Sequence, residues 1–543
     1  MKFKRILTLC LAGASLGAFA QTHVEGEEYY KADQLDNAKD LLLRSLNNAQ
    51  TDKSVSDYYL GLIAIEEGKN AEAGNYFDQG VAANPDYAYN YVGQGLLKLI
   101  AGDKKGAEEL FKIADKHSKK DASLQIALAR AYDRVDPVKY EKEITKYVEK
   151  ARKFDIQNPE IYIFEGDQQR EQKDYGKAGG MYEMAANYDK NATAAYVKYA
   201  NLFTQVNPDY AIKMLNDLLS VNPTSALGRR ELANAYYNKK DYAKAAEQYG
   251  KYVQNPSHFK TDENRYAFLL FYGGDFKKGY DYASKLLSED SANFTAQRYQ
   301  FMNAAQLPDM KEQLLPMAEA LLAAHNANPA KNKFAAIDYN LIANELQRAK
   351  KVDEAIAVLQ QGIQDIPDFV DFNKSLAFAY LDQNNLTKTA DQYAVYLSKI
   401  EPGYNDFIQQ ATFDFYAGIE NKADAAKAAE YFAKTKENAD KAKAILPDNY
   451  KPVKIYGDIA KQTAPTPAEA ESAAVADYEA AVALLEAAQD PSRYARDAKE
   501  MYMYLGNYYI NKNDVAKAKA HFENVLKFDP NNEELRKYVD GMK

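Results

Sequence analysis

Tryptophan is absent from the 543 residues, and cysteine occurs once, at Cys10. A single thiol excludes disulfide frameworks, multi-cysteine zinc sites and iron–sulfur clusters. Aromatic volume therefore comes from 44 Tyr and 23 Phe, a mixture weighted toward a ring with a polar tip that suits half-buried surfaces. Basic residues are outnumbered, 69 Lys plus Arg against 78 Asp plus Glu, and the formal net charge of −9 argues against a surface that tracks a polyphosphate backbone. Beyond the N-terminus no apolar stretch approaches the ~20 residues of a membrane span; Phe268-Leu269-Leu270-Phe271 is typical. With 46% hydrophobic and 27% charged residues, the chain is neither disordered nor fibrous and is long enough for several domains.

The N-terminus reads as a targeting segment. Lys2, Lys4 and Arg5 precede an apolar stretch from Ile6 to Leu16, and Ala18-Phe19-Ala20 offers small residues at −3 and −1 of a cleavage site. Residues 1–20 are expected to be a signal peptide cleaved after Ala20, giving an exported, periplasmic or secreted protein without cysteine. Lipidation at Cys10 is disfavoured by the bulky Leu9 before it and by the short apolar run that precedes it.

Chemistry-bearing motifs are missing. The five histidines, His23, His117, His258, His325 and His521, form no helix-face metal pair, and no phosphate loop, nucleophile elbow or dinucleotide fingerprint occurs. Gly273-Gly274 reads as a turn between helices. No enzyme activity, no cofactor, no metal and no nucleic acid are expected.

What is present is a repeat. Gly61 is followed by Ala73, Phe77 and Pro85; Gly95, 34 residues after Gly61, is followed by Ala107 and Phe111 at the same offsets. The series continues as Gly166/Ala178/Tyr182, Ala233/Ala245/Tyr249, Ala343/Ala355/Leu359 and Gly506/Ala518/Phe522. Small residues on two antiparallel helices permit close approach, and the large side chain four beyond the Ala fills the next groove. Asn84-Pro85, Asn158-Pro159, Asn222-Pro223 and Asp529-Pro530 are expected to stop second helices. Weaker copies such as Gly26/Ala38/Leu42 fill the gaps, for about thirteen or fourteen helix pairs.

Leu505-Gly506, Tyr509, Ala518, Phe522 and Pro530 resemble the tetratricopeptide repeat, with Tyr91, Tyr162, Tyr196, Tyr339 and Tyr502 standing where that family usually has a first-helix Trp. The resemblance implies an all-α solenoid of stacked hairpins, closed by a C-terminal capping helix within 531–542, with a concave groove lined by first helices. Expected segments are 21–135, 136–461 and 462–543. Asp136-Pro137 is expected to cap and open a helix, Pro308 and Pro316 to disturb the ninth repeat, and 423–445 to form one long helix. Thr466-Pro467-Ala468-Glu469 reads as a helix restart, and 462–467 as a hinge between superhelical blocks.

Three sets of groove residues follow. Adjacent tyrosines recur at first-helix ends, with Tyr29, Tyr236 and Tyr509 expected to pack between helices and their neighbours, Tyr237 among them, to face a bound peptide. Arg230, Asn234, Asn264 and Arg298 are spaced like the carboxylate clamp of tetratricopeptide domains that bind chaperone C-termini, although the clamp's second Lys falls near Phe294. Asn201, Asn234, Asn344 and Asn507 follow the small first-helix residue, where in this family an amide can bond to a peptide backbone. The resemblance thus implies a non-enzymatic scaffold of the cell envelope that holds a protein partner or extended peptide, self-association being possible. The alternative is an outer-membrane glycan-capture protein on the same scaffold.

Overall fold

The computed structural model describes residues 23–488 and 490–542. The expected signal peptide and its cleavage site lie outside the described residues. Within them every regular element is helical. The chain divides at Asn303/Ala304 into two compact units.

Unit 1 is a stack of hairpins, each an inner helix followed by an outer one. They are α1 (His23–Lys31) with α2 (Leu35–Ser45), α3 (Lys53–Glu66) with α4 (Asn70–Ala83), α5 (Tyr89–Ile100) with α6 (Lys104–His117), and α7 (Ala122–Val135) with α8 (Glu141–Phe154). The series continues with α9 (Pro159–Glu171) and α10 (Tyr175–Tyr188), α11 (Thr193–Phe203) and α12 (Pro208–Val221), α13 (Ala226–Asn238) and α14 (Tyr242–Tyr252), and α15 (Lys260–Tyr272) and α16 (Phe276–Glu289), before α17 (Phe294–Ala304).

Two local rules build each hairpin. In most hairpins the turn between the helices puts one residue in the left-handed region, glycine at Gly68, Gly102 and Gly274 but Asp33, Lys173, Lys240, Lys350, Asn384 or Asn513 elsewhere. The α7–α8 and α11–α12 connections, and that at 421–424, do without one. An Asp commonly follows as N-cap, as Asp103 does for Gly106, Asp174 for Lys177 and Asp241 for Lys244. Across the pair, the small residue of the inner helix lies under a ring sixteen positions later. A Cβ added at Gly61 would overlap the Phe77 ring, at Gly95 that of Phe111, at Gly166 that of Tyr182, and at Gly506 that of Phe522. The sixteen-residue spacing visible in the sequence is this contact.

Unit 2 contains α18 (Leu314–Ala327), α19 (Ala336–Arg348) with α20 (Val352–Asp365), α21 (Asp371–Asp382) with α22 (Leu386–Leu397), and α23 (Tyr404–Glu420) with α24 (Ala425–Ile445). It ends with α25 (Tyr450–Thr463), α26 (Pro467–Ala473), α27 (Val475–Glu486), α28 (Ala495–Asn511), α29 (Val515–Phe528) and α30 (Glu533–Asp540). The long helix is α24, with 21 residues. Thr466 caps α26 by accepting from the Glu469 backbone N–H at 3.2 Å, and α30 closes the last hairpin with Val539 buried beside Phe522.

Two local readings need correction. Asp136-Pro137 does not open a helix: Asp136 follows the end of α7, its carboxylate accepts from the Lys139 N–H at 2.8 Å in a turn, and α8 begins only at Glu141. Asn158-Pro159 starts a helix rather than stopping one, because α8 has already ended at Phe154 and Asn158 caps α9 with Pro159 in its first turn. The division between units falls in the ninth repeat, where a 3-10 turn at Pro308–Met310 follows α17. The 462–467 segment, read as a hinge, is internal to unit 2 and leads from α25 into α26.

Candidate functional site

In unit 1 the first hairpin meets the fourth to the eighth as well as its sequence neighbour. Tyr29, with no exposed surface, stands edge-on to Phe259 with ring centroids 5.5 Å apart. Arg44 lies over the same ring and donates to the His258 carbonyl at 3.3 Å. At the α1–α2 turn, the Gln34 amide donates to Glu231 at 2.7 Å and accepts from Arg230 at 3.1 Å. Thr193 donates to Glu28 at 2.9 Å. Asp33 accepts from both Arg170 and Lys198 at 2.6 Å. The inner helices have therefore gone once around, and α1 comes to rest against α11 and α13.

The turn encloses a cavity of about 840 Å³, lined by α1, α3, α5, α7, α9 and α11. One wall is apolar and aromatic. Val55, Leu62, Val92, Leu96 and Ile126 form its floor, and a chain of tyrosines runs along it: Tyr30 to Tyr59 at 5.0 Å, Tyr59 to Tyr58 at 5.1 Å, Tyr58 to Tyr89 at 5.5 Å and Tyr89 to Tyr87 at 5.2 Å between ring centroids. Such edge and offset contacts are the favoured ring arrangements.

The opposite wall is charged, with five cations and seven carboxylates in the lining. Each cation is already held. Lys31 bridges Glu27 at 3.0 Å and Glu160 at 2.8 Å. Arg130 pairs with Asp167 at 2.8 Å and Arg134 with Glu66 at 3.1 Å. Arg170 holds Asp33, and Lys198 holds Asp33 and Asp167, the latter at 2.9 Å. Burial alone would raise the Asp167 carboxyl, but Arg130 and Lys198 outweigh it and hold the group down at about 2. Burial raises Glu171, with Asp133 and Asp167 adding to the effect, and lifts Glu28 to about 7 against the Thr193 hydrogen bond.

The tyrosine hydroxyls differ in their partners. Tyr59 donates to Glu27 at 2.9 Å, Tyr30 accepts from Arg134 at 3.0 Å, and Tyr89 reaches Asp121 only at 3.4 Å. The Tyr58 hydroxyl makes no hydrogen bond among the described residues, although the residue is only 6% exposed.

The clamp residues inferred from sequence lie elsewhere and are engaged by the fold. Arg230 donates through Nε to Asp262 at 2.7 Å and lies over the Phe259 ring. Asn234 points back to Glu231 at 3.4 Å, Asn264 accepts from Asn293 at 3.0 Å, and Arg298 lies over Tyr299. Tyr237 is half-buried beneath the Arg265 guanidinium, between Tyr242 and Phe268. Asn201, Asn344 and Asn507 are exposed on α11, α19 and α28. Two cations on successive inner helices do hold a carboxylate, but they are Arg170 and Lys198, and the carboxylate is the chain's own Asp33. A lysine amid the apolar residues Ala194 to Ala200 was the signal available for Lys198.

Unit 2 has a shallower groove of about 640 Å³ between α24, α25 and α27, where Tyr456 donates to Asp440 at 2.6 Å and Lys436 and Lys443 lie over its ring. Among the described residues no three His, Cys, Asp or Glu are grouped to hold a metal ion, and no helix is long and apolar enough to cross a membrane.

Residues 201–258 and 500–532 match models of the tetratricopeptide repeat. Similar solved structures include the C-terminal part of a TPR repeat-containing protein from Cytophaga hutchinsonii, at 16% identity and TM-score 0.41, covering 52% of this chain and 99% of that one. Yeast Tom70 is 16% identical with TM-score 0.27, covering 96% and 98%. A tetratricopeptide repeat protein from Parabacteroides merdae is 13% identical with TM-score 0.33, covering 49% and 97%. No curated protein matches the sequence.

Proposed function

Because the chain belongs to the tetratricopeptide repeat proteins, whose repeats generally mediate protein–protein interaction, we propose that it is a non-enzymatic scaffold that holds a protein partner through the inner helices of its hairpins. The observation that carries this reading is the lumen of unit 1, a preformed cavity walled by six inner helices. A rigid concave surface loses little conformational freedom when a segment is laid in it. Asn201, Asn344 and Asn507 are proposed as further peptide contacts, since they are exposed on inner helices and an amide can both donate to and accept from a peptide backbone.

The scaffold is proposed to act outside the cytoplasm. The basic residues, apolar stretch and small-residue site of positions 1–20 support this. Affinity capture with the full chain from an envelope extract, followed by identification of the bound proteins, tests the function. Enrichment of one protein over a mock capture is expected, and enrichment of none overturns the reading. Sequencing the N-terminus of the purified native protein tests export: a start at Gln21 is expected, and a cytoplasmic chain that retains Lys2 contradicts it.

A further inference from the structure

We propose that the lumen of unit 1 is a receptor for a basic side chain, the lysine or arginine of a partner segment in which an apolar residue adjoins it. This rests on the scaffold reading above and specifies the chemistry of what enters.

The cavity, about 840 Å³, falls in the range of ~300–1,000 Å³ typical of ligand sites. Its polar groups are unequally committed. All five lining cations hold carboxylates of the same wall. An acidic ligand would meet cations whose charge those pairs already neutralise. The carboxylates exceed the cations by two, and the excess has a location. Among the described residues Asp133 on α7 accepts only from the Gln168 amide, at 3.0 Å, and Glu171, exposed at the end of α9, makes no hydrogen bond or ion pair. A cation entering between them would meet acceptors with vacant lone pairs.

The Tyr58 hydroxyl is the second observation. Tyr58 as a residue is more than nine-tenths buried on the cavity wall, and its hydroxyl has no hydrogen-bond partner among the described residues. A peptide carbonyl or ammonium group in the lumen would satisfy it. The rest of that wall, Leu62, Val92 and Leu96 with the faces of the tyrosine chain, suits both an apolar neighbour and the methylene stem of a lysine, and tyrosine faces attract cations. The net charge of −9 draws the same kind of segment toward the chain.

The test is isothermal titration of the full chain with four capped hexapeptides, alternating Leu/Lys, Leu/Glu, Ser/Lys and Leu/Ser. Leu/Lys is expected to bind at least tenfold more tightly than each of the others. Tyr58→Phe, which keeps the ring, is expected to weaken it severalfold. The double substitution Asp133→Asn with Glu171→Gln is expected to remove the preference for Leu/Lys over Leu/Glu while the preference over Ser/Lys persists. Equal or tighter binding of Leu/Glu, a preference unchanged in the double variant, or no saturable binding of Leu/Lys overturns the proposal. Capture separates the two levels: a partner held equally by the parent and a chain carrying Tyr58→Phe, Asp133→Asn and Glu171→Gln together sinks the lumen site and leaves the scaffold standing, whereas a parent chain that captures no partner sinks the scaffold.

Discussion

Lys198 in unit 1 and Lys454 in unit 2 are both buried lysines on the inner helix of a hairpin, 3% and 8% exposed, yet their charges are met by different routes. Lys454 pairs with Asp458 one turn along its own helix, at 2.9 Å, and with Glu500 on α28, at 3.1 Å. Lys198 pairs with Asp167 on the adjacent inner helix and with Asp33, 165 positions away. Repeat packing brings a neighbour's carboxylate within reach in either unit. Only a stack that completes its turn supplies one from the far end.

The largest expected effect tests that difference directly. Lys198→Met leaves Asp167 buried with one cation fewer and should destabilise unit 1 by about 3–5 kcal/mol, the usual cost of breaking a buried pair. Its mark is distance: hydrogen exchange should speed up in α1 as well as α9, whereas Lys454→Met should loosen only α25 and α28. Unchanged exchange in α1 would show that Lys198 does not hold the closure.

Next is Glu28, the closure's titrating group. Its folded-state value of about 7 lies above the ordinary 4.5, so the folded chain binds the proton more tightly. That contribution is complete below pH 4.5 and disappears as pH rises through 7. Glu28→Gln should therefore stabilise unit 1 on the order of 2–3 kcal/mol at pH 8 and make no difference near pH 4. Urea unfolding at the two pH values checks this, and a gap that widens toward acid would contradict it.

A control should act alike in both units. Gly95→Val and Gly506→Val each push a side chain into the ring of their own hairpin and should cost about 1–3 kcal/mol, the range for overpacking, as read by thermal unfolding. Unequal costs would mean that the hairpin is not the common module. Smallest is Arg44→Ala, which removes a contact over Phe259, the hydrogen bond to the His258 carbonyl and an exposed ion pair with Asp40. It should cost about 1 kcal/mol and leave exchange in unit 2 untouched.

Legibility in the sequence followed contact range. Gly61 and Phe77, or Gly506 and Phe522, are sixteen positions apart and touch within one hairpin, so spacing alone revealed them. The cap at Thr466 was likewise local. Where a turn follows the helix end directly, reading failed narrowly: Asp136 and Asn158 both carry cap chemistry, but position relative to the end of the previous helix decides which element they serve. The candidate site failed for a different reason. The spacing of Arg230 and Asn234 suggests free donors for a partner, yet Asp262 sits one repeat further on and takes the guanidinium. A search for donors passes over the acceptor that already satisfies them. The contacts of Gln34 with Glu231 and of Asp33 with Lys198 span 197 and 165 positions, and no periodicity encodes them.

That span bears on how the chain is made. An open stack can nucleate anywhere and grow by nearest neighbours, but Asp33 and Gln34, in the turn after α1, find partners synthesised some 165–197 residues later. Asp33 has no cation to dock on until α9 and α11 exist, and Tyr29 no ring until Phe259 is made, and joining the ends then costs loop-closure entropy that adjacent hairpins never meet. Unit 1 should accordingly assemble late and as one cooperative step, with the earliest hairpin translated among the last to settle.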